Sequence, residues 1–392
     1  MLVLRVLGPC PVCAHERYGN VDVYGNHVLR GCERCRVSEQ LWLPPLRKKI
    51  LYLDQPFFSG AFRGGERNRH YVELADRIQR AASAQLVTIP RSSIHDYETR
   101  LWERGDELLE FIKRTSRGHT FERAYNVERQ QILSGFRRWL AGEVAAYPLT
   151  QSEALSERVH DWDSYFVVGV RHQPGDNEAQ RESKRQSLEG LLNLFDGWRA
   201  SEESFEQCVA GELAGAKRLY LDSFLTYFTR VGQRDFSALF DSPIVSQVVE
   251  QMRHLVPPEQ TFQESMRACG SFFDSEHFAQ LPFQQVRASS YATLQRMVRN
   301  GAYVNRDRAR GKLSGFYSDV DHAAFYAPYC DAIALDQAMA ELMGERGVDL
   351  EHTFGVKVFS LNRLEEFHGW LDDLEAGVTD EHRQALSNAY PE

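Results

Sequence analysis

No apolar run in this chain of 392 residues approaches the length of a membrane-spanning helix. Basic charge is also short: 46 Lys and Arg stand against 55 Asp and Glu. The net charge of −9 gives no global pull toward nucleic acid. A Gly-rich phosphate loop of the GxxxxGK[ST] type is missing, which counts against nucleotide-driven chemistry. Fixed-period repeats and low-complexity segments are missing too. Cysteine is sparse and odd in number, at seven, which suits a metal site in a reducing compartment better than a disulfide framework. The opening "MLVLRVLGPCPVC" runs straight into a cysteine motif without a signal-peptide layout, so a cytoplasmic protein with no membrane partner is expected. What remains is an ordinary globular composition, 43% hydrophobic and 26% charged, long enough for two or three domains and a sizeable core.

Four of the seven cysteines fall before residue 36, in "PCPVC" and "GCERC". Two thiolates on one tight turn can face a single ion, and two such turns complete a closed tetrahedral site. Between them, Val21, Val23 and Tyr24, a Gly-Asn turn, then Val28 and Leu29 read as a hairpin. Cys10, Cys13, Cys32 and Cys35 are thus expected to hold a structural zinc in a ribbon over residues 1–44. Four thiolates leave no open position for catalysis. The ribbon is either a staple alone or a contact surface through Arg30, Arg34 and Arg36. Cys208, Cys269 and Cys330 are scattered and read as small buried hydrophobes.

After the linker "PPLRKK" comes "ILYLDQPFFS", a short buried strand ending in Asp54. An Asp there either caps the next helix or points into the crevice at the carboxyl end of a parallel sheet. The same Tyr-Leu-Asp triplet recurs at 220–222, but Leu213, Tyr220, Phe224, Tyr227 and Phe228 have helical spacing, so Asp222 belongs on a helix's outer face. A helix over 70–82, a strand over Leu86–Ile89 and a helix capped by Ser92 or Ser93 and carrying His95 and Glu98 follow. This order begins a doubly wound α/β sheet. Near the far end, Asp319 and Asp321 open a short Ala- and Phe-rich helix. "AIAL" forms a strand ending in Asp336, and "VKVFS" forms another, before the helix "NRLEEFHGWLDDL".

This arrangement resembles a PIN-domain nuclease, through "ILYLDQ", "VTIPRSSIHDYE", "SDVDHAAFYA", "AIALDQ" and "VKVFS". The resemblance covers roughly residues 45–104 and 313–392. It implies a PIN-like doubly wound parallel sheet whose four acids, here Asp54, Glu98, Asp319 and Asp336, meet around one or two Mg²⁺ or Mn²⁺ ions. Asp321 is the replacement or helper for Asp319. Two departures stand out. Pro56 occupies the place of the usual small polar residue, leaving Gln55 or Ser59 to serve, and the stretch between the second and third acids is far longer than usual. Such a cluster suits phosphodiester hydrolysis, because hard cations about 3.5–4 Å apart activate water and neutralise charge on the phosphate. His95, three residues before Glu98, and His322, after Asp321, stand near enough to contact metal or phosphate. A His so placed more often satisfies a local hydrogen bond.

Residues 105–312 read as a mostly helical insertion, with 313–392 the second part of the nuclease-like domain. Pro148, Pro174, "DSP" at 241–243 and "VPPEQ" punctuate its helices. The insertion could cap the cleft, select substrate or form a homo-oligomer. Its end carries Arg306, Arg308, Arg310 and Lys312 against one acid, Asp307. Connectivity keeps this basic run near Asp319, where it could position a phosphate backbone. The expected activity is a Mg/Mn-dependent ribonuclease with single-stranded RNA as partner, of a kind that by analogy would suit a toxin or defence protein. The rival is a non-catalytic module in which zinc ribbon and helices bind nucleic acid or protein.

Overall fold

The structure, a computed structural model, describes residues 1–100, 102–166, 177–241 and 244–391. The expected breaks at Pro174 and around Pro243 lie outside the described residues. Among the described residues the chain is a mixed α/β protein with two four-stranded sheets. The first is antiparallel and formed by β1 (Arg5–Gly8), β2 (Tyr18–Tyr24), β3 (His27–Cys32) and β4 (Ser38–Trp42) in sequential order. The expected hairpin is β2–β3, turning through Gly25 at φ +59°, a conformation glycine adopts without steric cost. The flanking strands β1 and β4 extend it.

The second sheet is parallel: β5 (Lys49–Leu53), β6 (Val87–Thr88), β7 (Ala332–Ala334) and β8 (Lys357–Phe359), in the order β6-β5-β7-β8. Leu51 pairs with Ala332 and Leu53 with Ala334, so residues at opposite ends of the sequence are neighbours at the centre of the sheet. The unbroken apolar run of β5 has its cause here, because both faces are covered. Leu51 and Leu53 pack into a cluster with Phe57, Phe58, Leu74, Ile78, Phe367 and Leu371. Ile50 and Tyr52 face the opposite core with Phe136, Val320, Phe325 and Ile333. The helices Gln55–Arg63, Arg69–Ser83 and Leu364–Ala376 cover the first face. The long helical segment supplies the layer on the second. That segment is therefore half of the fold's core rather than an appendage.

The helix Gly105–Thr115, expected to open the insertion, belongs instead to the first face. Its Leu108 and Ile112 are buried with Phe57 and Leu74. Thr120 then forms a parallel bridge to Arg91, continuing the edge beyond β6. The helical body holds a 28-residue helix, Phe205–Gly232, started by a capping box between Ser204 and Gln207. On it Tyr220 and Phe224 are buried and Asp222 is exposed, as the spacing predicted, although Phe228 lies on the surface. The antiparallel sheet is not free-standing either: Val23 and Val28 share a small core with Trp162, Ala385 and Ala389. Cys208, Cys269 and Cys330 are buried, as expected. Among the described residues, no helix is long and apolar enough to cross a membrane.

Candidate active site

The strand order places a switch point between β5 and β7. The chain leaves β5 toward one neighbour and returns on the other side, so the loops diverge at the carboxyl ends of these strands and leave a crevice. Asp54 follows β5 directly and Asp336 lies two residues beyond β7. Both open onto a cleft of about 890 Å³ that Glu98 and Asp319 also line. All four acids singled out in the sequence thus share one pocket. Asp54 and Asp336 are helix caps as well. Asp54 Oδ1 accepts from the N–H of Gln55 at 2.7 Å, and Asp336 Oδ1 from that of Met339 at 2.8 Å. Capping and facing the cleft are not alternatives here, since each carboxylate has a second oxygen.

Glu98 rides on the helix Ser93–Arg100, whose start is tied down reciprocally. Ser92 Oγ accepts from the His95 N–H at 3.2 Å, and His95 Nδ1 accepts from the Ser92 N–H at 3.0 Å. The other ring nitrogen of His95 donates to the carbonyl of Leu53 at 2.8 Å. His95 therefore satisfies local hydrogen bonds, and burial with the nearby His322 holds its pKa well below the ordinary histidine value.

Asp319 sits in the first turn of the helix Phe316–Tyr326, its carboxylate folded back over Gly315. A Cβ at that glycine would lie 2.8 Å from Asp319 Oδ2. Asp321, two residues on, faces away and pairs with Arg287 at 2.8 Å, beside a half-buried Glu128. A two-residue step on a helix turns a side chain well past the cleft, so Asp321 is not placed to replace Asp319. His322 shares the face of Asp319 and points inward; its Nδ1 lies 3.5 Å from Asp54 Oδ1.

Burial, and then the charges of Asp54, Glu98 and Asp336, push the Asp319 carboxyl well above the usual range. Asp336 is raised as well, chiefly by burial and by Asp54 against the opposing helix N–H of Met339. A carboxyl raised on folding holds its proton more tightly in the folded state. The stability it contributes is present below the unfolded value of about 3.9 and is lost as pH rises through the higher folded value. Asp319→Asn is therefore expected to raise the Tm of cation-free protein by a few degrees at pH 7. The gain should vanish near pH 4 and in saturating divalent cation. Melting curves at the two pH values with and without Mg²⁺ check this, and an unstabilised variant at pH 7 would refute the crowding.

The basic run lies partly where the sequence suggested. It is a helix, Arg306–Lys312, and Lys312 reaches the mouth of the cleft. Arg306 and Arg310, however, pair with Glu189 at 3.3 and 2.6 Å, on the helix Asn177–Asn193. These pairs fasten two helices together, and Arg310 also pairs with Asp307 at 2.7 Å. Arg308 is exposed and does not line the cleft. Unforeseen in the cleft are Lys184, 3.3 Å from Glu98, and the pair of Arg63 and Trp102, in which the guanidinium lies 5.0 Å over the ring. Lys184 sits in a polar helix that gives no local signal of a site. Gln55 and Ser59 line the pocket as expected, and Gln55 donates to Thr99 at 3.0 Å.

A second group of candidate ligands stands apart from the cleft. The Sγ atoms of Cys10, Cys13, Cys32 and Cys35 all lie within 4.8 Å of one another, with Cys10–Cys35 and Cys13–Cys32 at 3.6 Å. This is too far for a disulfide, about 2.05 Å, and close to the edge of a tetrahedron drawn with metal–sulfur bonds of about 2.3 Å. Burial opposes ionisation of Cys10, but the N–H groups of Cys13 and Val12 outweigh it and bring the thiol down to about 7. The four sulfurs could hold a metal ion such as zinc. Comparison of the chain with family models, with curated proteins and with solved structures returned no match.

Proposed function

We propose that this protein is a metal-dependent nuclease of PIN-like architecture, acting on RNA in preference to DNA. One observation carries the reading: Asp54, Glu98, Asp319 and Asp336, from four separate segments, line one cleft at the switch point of a parallel sheet. Four carboxylates gathered in this way repel one another and call for a cation; Asp319 and Asp336 are raised first by burial and then by their acidic neighbours.

The donor set is mostly hard oxygen, which suits Mg²⁺ or Mn²⁺. Such an ion, when bound, activates a water and neutralises charge developing on the phosphate. The protein's own groups do the rest. Asp54 and Asp336 are fixed by the helix N–H groups they cap. Asp319 is held over Gly315, and Glu98 is held by a helix pinned through Ser92 and His95. Lys184, Lys312 and Arg63 surround the acids with positive charge that a phosphate chain can follow. Trp102, with the Arg63 guanidinium over its ring, adds an aromatic surface at the cleft beside which a splayed base can lie, which favours a single strand.

The four-cysteine group is, in this reading, a closed structural zinc site that folds the N-terminal sheet. Purified protein is expected to carry one zinc per chain. Cys32→Ser should lose it, together with protease resistance of residues 1–44, as measured by metal analysis and limited digestion. A protease-resistant N-terminal sheet without metal would refute the staple.

The test of the activity is cleavage of labelled single-stranded RNA and DNA with Mg²⁺, Mn²⁺ or EDTA. Salt-sensitive binding without cleavage under any metal would leave a binding module instead.

A further inference from the structure

Buried beside Asp54 and Glu98 is a histidine, His322, that the four-acid reading does not use. His322 is 0% exposed and neither of its ring nitrogens has a hydrogen-bond partner. A neutral imidazole carries one N–H and one lone pair, and folded proteins seldom bury both unmet. Its neighbours do not supply the want. Tyr52 and His95 pack their rings against it, with centroids 5.2 and 5.3 Å away, and both His95 nitrogens are already engaged. Asp54 shows the same shortfall: its Oδ1 caps a helix, while Oδ2 is buried without a partner.

The two residues are adjacent, and Glu98 joins them. Ligand atoms of Asp54, Glu98 and His322 all lie within 4.8 Å of one another. The separation of His322 Nδ1 from Asp54 Oδ1, 3.5 Å, is long for a hydrogen bond and near the spacing of two donors on one ion. Three segments supply the three groups: the end of β5, the helix Ser93–Arg100 and the helix Phe316–Tyr326. Lys184, 3.3 Å from Glu98, partly balances the charge from the cleft side and leaves the buried face of Asp54 unmet.

The geometry points to a mixed nitrogen–oxygen metal site formed by His322, Asp54 and Glu98, which takes a first-row transition metal ion such as Mn²⁺ in preference to Mg²⁺. Mg²⁺ favours an all-oxygen octahedron and keeps its waters, whereas an imidazole nitrogen suits transition metals. The inference rests on the acid cleft being a cation site, as the nuclease reading requires, and goes further by naming a ligand and a class of ion.

The experiment is titration of the full, zinc-loaded chain with Mn²⁺, followed by pulsed electron paramagnetic resonance, which detects nitrogen bound directly to manganese. The expected result is one Mn²⁺ with an imidazole ¹⁴N coupling that becomes a ¹⁵N coupling in protein labelled with ¹⁵N-histidine and disappears in Asp54→Asn. In His322→Gln the coupling should be lost, and the preference for Mn²⁺ over Mg²⁺ should fall by about tenfold. Manganese bound with oxygen ligands only, and released by Asp54→Asn, would overturn the nitrogen site while leaving the nuclease reading intact. No manganese bound at all would overturn both. The labelling measurement uses unmutated protein, so it stands even where the His322 variant fails to fold.

Discussion

An Asp54→Asn protein is expected to lose metal-dependent RNA cleavage by about 10³-fold, roughly 4 kcal/mol of transition-state stabilisation, while folding normally. The substitution separates the two duties of this residue. Its cap needs only an oxygen to accept from the Gln55 N–H, which the Asn amide still offers. The cation needs the charge and the second oxygen, which the amide removes. Asp336→Asn retains its own cap in the same way and should lose activity similarly. Asp222→Asn is the control: it carries the same Tyr-Leu-Asp triplet on an exposed helix face and should change nothing. The measurement is initial cleavage rate at saturating Mn²⁺ beside a melting curve. Full activity in both cleft variants would remove the catalytic assignment.

Asp163→Ala is expected to destabilise the chain by about 3–5 kcal/mol, the cost of leaving a buried cation unpaired. The Asp163 carboxylate is 2.6 Å from Lys48, whose side chain is 1% exposed, 2.6 Å from Arg117 and 3.0 Å from His119. Gln85 donates to it at 3.2 Å, and the Tyr390 hydroxyl donates to its backbone carbonyl at 2.7 Å. The side chain thus ties the linker before β5 and the edge near β6 to its own segment, and the backbone of the same residue holds the C-terminus. Burial would raise its pKa, but His119 and Lys48 hold it well below the carboxylate range. A carboxyl depressed on folding contributes fully above its unfolded value of about 3.9 and loses that contribution as pH falls toward the folded one. The loss on mutation should therefore be complete at pH 7 and shrink only in strong acid. Chemical denaturation at pH 7 and pH 3 reads this directly. A double substitution, Lys48→Met with Asp163→Leu, should recover much of the loss, because it removes the stranded charge along with the pair. A loss below about 1 kcal/mol in the single variant would mean water replaces the carboxylate.

Several features were legible in the residues because they depend on near neighbours. The cysteine turns, the β2–β3 hairpin, the four short parallel strands and the exposed face of Asp222 all follow from spacing and turn chemistry within a few positions. The gathering of Asp54, Glu98, Asp319 and Asp336 was expected from order and strand-end placement, and the switch between β5 and β7 supplies it. The basic run shows the limit. Arg306 and Arg310 look unpaired in the sequence, yet both pair with Glu189 from a helix whose approach no local pattern announces. His95 and His322 show it more sharply. Both sit three residues from a cleft acid, yet one has every nitrogen satisfied and the other none.

The sequence by itself determined that this is a mixed α/β chain with a four-cysteine group and acids at strand ends, because periodicity and turn residues act over short distances. Only the tertiary structure decided that the helical body is the second layer of the sheet's core and that Lys184 and Arg63 enter the cleft. It also decided that Asp321 turns to Arg287 and that His322 is left facing Asp54. Those outcomes depend on which distant surfaces bury one another, and burial decides whether a charge or a ring nitrogen finds water, a partner or neither.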